Sequence, residues 1–172
     1  AWLETQALEF PVAVLSAFRI MATEQPQKTA LTAAMIAHLV LKPGAHSTES
    51  GKASLGMRVM EHLIHMFGQH VDAHYWRNAR LVLHVFVALA PLGVVSSASL
   101  RRTIKAFVDV LSSDGVSRDV ADPAADCVIE AMCRGGTDLI QPEPGALEAL
   151  PSAREEMDAI VDGISLYGSQ RN

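Results

Sequence analysis

Along most of the chain apolar residues return every three or four positions, and no stretch alternates apolar and polar residues over the length of a strand. That pattern predicts an all-α protein. Pro11 suits the first position of a helix, and Val14, Phe18 and Met21 form a stripe that ends before Pro26. A second helix is expected from about Thr29 to Leu41, with Leu31, Met35 and Leu39 on one face and a stop at Pro43-Gly44. A third should run from about Lys52 to Phe67, burying Val59, Leu63 and Met66, with Gly68 as its cap. Asp72 suits the cap of a fourth, which extends to Ala90; apolar on most sides, it belongs in the middle.

Beyond the turn "PLG" at 91–93, Ser97 or Ser99 suits the start of a fifth helix. Its residues Leu100, Ile104, Phe107, Val108 and Leu111 make the cleanest amphipathic stripe in the chain, and "SSDG" ends it. Asp122-Pro123 reads as a cap and first helical position of a sixth helix, which runs through Ala125, Val128, Ile129 and Met132 and stops at Gly135-Gly136. After the proline-broken loop "QPEPG", a last helix from about Pro151 places Met157, Ile160, Val161 and Ile164 on one face, and "SQRN" is expected to fray. Helices of about 12–18 residues on mostly short connectors predict an α-α superhelix of stacked antiparallel hairpins, HEAT/ARM-like, although no exact repeat is visible.

Composition fits one domain: 172 residues, 49% hydrophobic, expected to form a single helical repeat domain over 1–172. Because the chain opens on Ala1, it is expected to be a processed or excised part of a longer one. The first ten residues hold Glu4 and Glu9 and no basic leader, and the longest apolar run, Leu81 to Ala90, is about half a membrane span, so a soluble protein without secretory signal is expected. Cys127 and Cys133 are then expected to be free, inert core thiols in a reducing compartment. The net charge of -5 is uneven: residues 1–111 hold 10 Lys/Arg against 7 Asp/Glu, and residues 112–172 hold 4 against 12. Tight, unaided nucleic-acid binding is disfavoured by that balance.

Candidate chemistry is thin. "KPGAHSTESGKAS" at 42–54 suggests a phosphate loop, but His46 stands where the first glycine is needed and Ala53 where the magnesium-binding hydroxyl is needed. His62, His65, His70, His74 and His84 lie within 23 positions, yet His62 and His65 share a polar face with Arg58, Glu61 and Gln69, and "EHLIH" is not the zinc-protease order. "GISLYG" is not a nucleophile elbow, and Glu155-Glu156 reads as dipole compensation at a helix start. No enzyme, metal or cofactor is expected. Two features suit binding: a basic patch of Arg77, Arg80, Arg101, Arg102 and Lys105 on the exposed sides of the fourth and fifth helices, open to an acidic peptide or to RNA phosphates, and the pair Tyr75-Trp76, which reads as core or as a stacking platform for a base.

Four stretches carry a resemblance: "EFPVAVLSAFRIMATEQPQKTALTAAMIAHLV", "RLVLHVFVALAPLGVVSSASLRRTIKAFVDVL", "DPAADCVIEAMCRGGTDLI" and "EEMDAIVDGISLYGSQR". In helix order, in the Pro26 hairpin, in the "ALAPLGVVS" turn, in the acidic "DGVSRDVAD" lead and in the tyrosine before "SQR", the chain resembles the first helical repeat domain of the large subunits of the nuclear cap-binding complex, a domain of the initiation factor 4G middle-domain type. It departs from that family at "KPGAHSTESGK", where an Asn- and Phe-containing stretch is usual, and at "MCRGG", where Leu-Pro-Trp is usual; a divergent, fungal member would show both. The resemblance spans about Glu9 to Arg171. It implies a non-enzymatic, nuclear scaffold, shuttling to the cytoplasm, that works with a small RNA-recognition-motif subunit and with processing and export factors on capped transcripts. RNA would be met indirectly, since the small partner holds the cap, and Tyr75 and Trp76 inherit no cap-stacking role. Alternatives are another middle-domain relative in splicing, decay or translation, a His-rich metal protein or enzyme, and a ligand-sensing bundle.

Overall fold

The structure, a computed structural model, describes residues 11–41, 54–113, 115–140 and 150–170. Among them the chain is all-helical, with no strand: α1 (Pro11–Glu24), α2 (Thr29–Leu41), α3 (Leu55–Asp72), α4 (Trp76–Leu89), α5 (Ser97–Leu111), α6 (Arg118–Gly135) and α7 (Leu150–Ser169). Short 3₁₀ turns cover Pro26–Lys28 and Gly136–Leu139. The phosphate-like stretch 42–53 and the "QPEPG" loop lie outside the described residues. The chain divides into two compact units, residues 1–94 and 95–172. No helix among the described residues is long and apolar enough to cross a membrane.

In the first unit α4 packs against α1, α2 and α3, the central place its all-round apolar sequence calls for. Seven consecutive residues, Leu81 to Val87, are buried. Phe18 of α1, Ile36 of α2 and Leu63 of α3 are buried with them, each contributing about 1.5–3 kcal/mol of apolar transfer. Phe67 meets Phe86 edge to face at 5.7 Å. Gly56, in the first turn of α3, is a site of close approach: a Cβ there would stand 2.6 Å from the backbone of Leu39 and Val40.

Several sequence expectations need correction in this unit. The inner face of α2 is Ala33, Ile36, Ala37 and Leu39, while Leu31 is 53% exposed and Met35 only half-buried. α3 begins at a Ser54 cap, whose Oγ accepts from the Met57 amide, and runs through Gly68 to Asp72. Its stop is His74, in the left-handed region at φ 57, where the amides of His74 and Tyr75 bond back to the carbonyls of Val71 and His70. That is the double bond pattern that glycine usually closes. Asp72 is therefore the last residue of α3 and caps nothing in α4. Gly93, at φ 72, closes α4 in the same manner with bonds from Gly93 and Val94 to Ala90 and Leu89.

In the second unit α5 packs on both α6 and α7, and its five stripe residues are all buried as expected. Ser96 caps α5 by accepting from the Ser99 amide. Ser97 instead donates to the carbonyl of Asp138. α6 opens at Arg118, five residues before Pro123, which sits inside the helix. Asp122 therefore serves no cap; its carboxylate accepts the hydroxyl of Tyr167 from α7. Gly136, at φ 47, ends α6 where the sequence placed the stop. On α7, Met157 and Ile160 are buried, but Val161 faces outward. Ser169 is still helical, and residues 171–172 lie outside the described ones.

Candidate functional site

The basic residues separate into different environments. Arg77 and Arg80 stand one turn apart on α4, the first exposed and the second half-buried. Arg102 and Lys105 are both exposed on α5, and the Lys105 ammonium pairs with Asp109 at 3.0 Å, an i,i+4 surface contact.

Arg101 is no surface residue. It is 6% exposed, its Nε donates to Glu156 Oε2 of α7 at 2.6 Å, and its Nη1 donates to the carbonyl of Leu139 at 2.7 Å. The placement in an exposed patch is thereby corrected. The reason is periodicity: Arg101, Ile104, Val108 and Leu111 follow one another at three, four and three residues, so the arginine lies on the buried stripe. A cation so placed requires partners, and it finds one on each neighbouring segment. Together with Ser97 it satisfies consecutive carbonyls, Asp138 and Leu139, at the end of the 3₁₀ turn. Arg101 is thus an internal tie of the second unit, and Arg77, Arg102 and Lys105 remain as exposed cations, with Arg80 half-buried.

The aromatic pair also divides. Tyr75 is 63% exposed, whereas Trp76 is half-buried with its ring stacked on His74 at 5.6 Å and 7°. That stack stabilises the left-handed backbone of His74, a conformation that costs about 1 kcal/mol or more outside glycine. His70 leans on Tyr75 at 6.2 Å and keeps its Nε2 buried without a hydrogen-bond partner. Burial, and secondarily the positive charge of Arg19, push its pKa below the usual imidazole value. His65 is exposed, His62 half-buried and His84 buried within α4. Among the described residues no three His, Cys, Asp or Glu side chains gather closely enough to hold a metal.

Cys127 is buried and Cys133 is exposed, so the reading of both as core thiols holds for the first alone. Six residues of helix rotate the second well away from the first. Glu156 is committed to Arg101, while its neighbour Glu155 faces outward. No known protein-family model matches the chain, and no curated protein matches its sequence.

Proposed function

We propose that the chain is a non-enzymatic helical scaffold, a HEAT-like member of the initiation factor 4G middle-domain type, and in its specific form part of a nuclear cap-binding large subunit. The observation that carries the scaffold reading is how neighbours in sequence pack on one another. α3 and α4 meet across the three-residue link 73–75, as an antiparallel hairpin does, and α2 packs on α3 just as α6 packs on α5. Hairpins of sequence-adjacent helices are the building block of helical repeats, a form suited to gripping other proteins. Among the described residues, carboxylates that could serve acid-base chemistry include two committed elsewhere, Glu156 to Arg101 and Asp122 to Tyr167.

The specific form rests on the sequence resemblance and on its helix order. In that reading a small RNA-recognition-motif subunit holds the methylated guanine, and this chain supplies a platform for processing and export factors. Its acidic balance supports protein contacts over phosphate contacts. Co-expression with such a small subunit is expected to give a 1:1 complex on size exclusion that binds a methylated-guanine cap analogue, while the chain alone binds it at least ~100-fold more weakly. Tight, salt-resistant cap binding by the chain alone would overturn the proposal. Stable capture of a splicing or decay factor, with no binding to the small subunit, would move it to another branch of the same architecture.

A further inference from the structure

In the second unit the start of α6 runs against its local sequence. The helix opens at Arg118, with Ser117 at the cap position, but the Ser117 side chain makes no cap hydrogen bond. Further along, Pro123 lies inside the helix. A proline there has no amide to give the Asp119 carbonyl, and its ring crowds that carbonyl. It also disfavours the helical conformation of the residue before it, here Asp122. Charge does not compensate, since Asp119 suits the positive end of the helix dipole and Arg118 opposes it.

A helix that began at Pro123 would meet none of these objections. Proline is favoured at the first helical position, where its missing amide costs nothing and its fixed φ is already helical. Asp122 would then take the extended conformation that a following proline prefers, and its carboxylate could accept the amide of Ala124 or Ala125. Two observations hold the longer helix in place instead. Asp122 Oδ1 accepts the hydroxyl of Tyr167 from α7, so the carboxylate is engaged on a neighbouring helix. Ala121 is 4% exposed, and it is the one residue of 118–122 that is buried. A single methyl group is little apolar surface, so the tyrosine bond carries most of the difference.

We propose that the first turn of α6 is a two-state element with the Tyr167 hydroxyl as its latch. In the long form, the one the structure shows, Asp122 is bonded to Tyr167 and the helix starts at Arg118. In the short form Asp122 leaves Tyr167 and caps a helix that starts at Pro123, and residues 118–121 unwind. The link between α5 and α6 then grows from residues 112–117 to 112–122, and Arg118 and Asp119, both exposed, leave the helix surface. The exchange trades one charge-assisted bond for another, so the two forms lie close in energy, as a switch requires. It alters the surface of the second unit whichever partner the scaffold grips.

Amide hydrogen exchange of the full chain, resolved by residue with NMR, tests the latch. The Val120 and Ala121 amides bond to the Ser117 carbonyl in the long form and lose that bond in the short one, so their exchange follows the short form's population. Tyr167→Phe removes the hydroxyl and is expected to speed exchange at both amides by ~10-fold, with residues 128–131 changed by less than ~2-fold. Pro123→Ala, in a chain that keeps Tyr167, lifts the penalty on the long form and is expected to slow the same amides by ~10-fold. In Tyr167→Phe the Cα chemical shifts of 118–121 should move toward coil values, while those from Ala124 onward stay helical. Exchange at Val120 and Ala121 indifferent to either substitution overturns the proposal. So does a loss of helix in Tyr167→Phe that runs past Pro123, which would mean that the tyrosine merely holds α7 against α6. Should Tyr167→Phe fail to fold, Pro123→Ala decides alone.

Discussion

The two units solve the same packing problem by different means. In the first, one helix is apolar on nearly every side and three others close around it, so apolar burial dominates the arrangement. In the second, α5 is amphipathic and packs on α6, α7 and the 136–139 turn, with many alanines where the first unit has larger side chains. There the helices are also linked by polar side chains: Arg101 to Glu156 and Leu139, Ser97 to Asp138, and Tyr167 to Asp122. Apolar packing tolerates many arrangements of similar energy, whereas buried polar bonds are satisfied in only a few. A three-helix unit with small core residues gains definition from them.

Two substitutions set the units against each other. Leu83→Ala removes a fully buried side chain from the central helix and is expected to cost about 4 kcal/mol, near the upper part of the range for such cavities. Urea denaturation followed by tryptophan fluorescence reads it, because both tryptophans, Trp2 and Trp76, belong to residues 1–94. Loss below about 1 kcal/mol would mean that α4 is not the organising element. Arg101→Leu is expected to cost about 3 kcal/mol in the second unit, since it strands the Leu139 carbonyl and leaves Glu156, itself partly solvated, without its cation. Amide hydrogen exchange should accelerate across α5, α7 and the 136–139 turn. Exchange unchanged in those segments would show that the tie is dispensable.

Much of the fold was legible in the sequence, and the misses have identifiable physical causes. The α5 stripe and the ends at Gly93 and Gly136 were readable because periodicity and glycine chemistry coincided there. The inner face of α2 was not, because "TALTAAMIAHLVL" is apolar all round and a four-residue spacing can be drawn on any side of it. The end of α3 was hidden by two inversions of the usual rules: a Gly68 carried inside the helix at a cost of about 1 kcal/mol, with open space where its side chain would stand, and a histidine where a glycine normally stops the chain. Arg101 was assigned outward by its charge although its spacing from Ile104 and Val108 put it inward. Its partners lie 38 and 55 residues away in sequence, a relation that only tertiary structure discloses.

The smallest effect expected is a pH dependence confined to the first unit. His70 has its pKa lowered in the folded state by burial first and by Arg19 second, so the unfolded chain holds more protons near and just below the usual imidazole value of about 6.5. Stability must then rise with pH across that window: the neutral form is favoured in the fold above it, and the advantage is lost as pH falls through about 6.5 toward the lower folded value. His70→Gln keeps a polar side chain at the junction of α3 and α4 but cannot take up a proton. It is expected to flatten the fluorescence-detected urea midpoint between pH 7.5 and pH 5.5 relative to wild type. The parallel measurement by hydrogen exchange in α5 to α7 should show the same pH response in both proteins. A wild-type midpoint that rises on acidification would reverse the sign of this coupling and count against a desolvated His70.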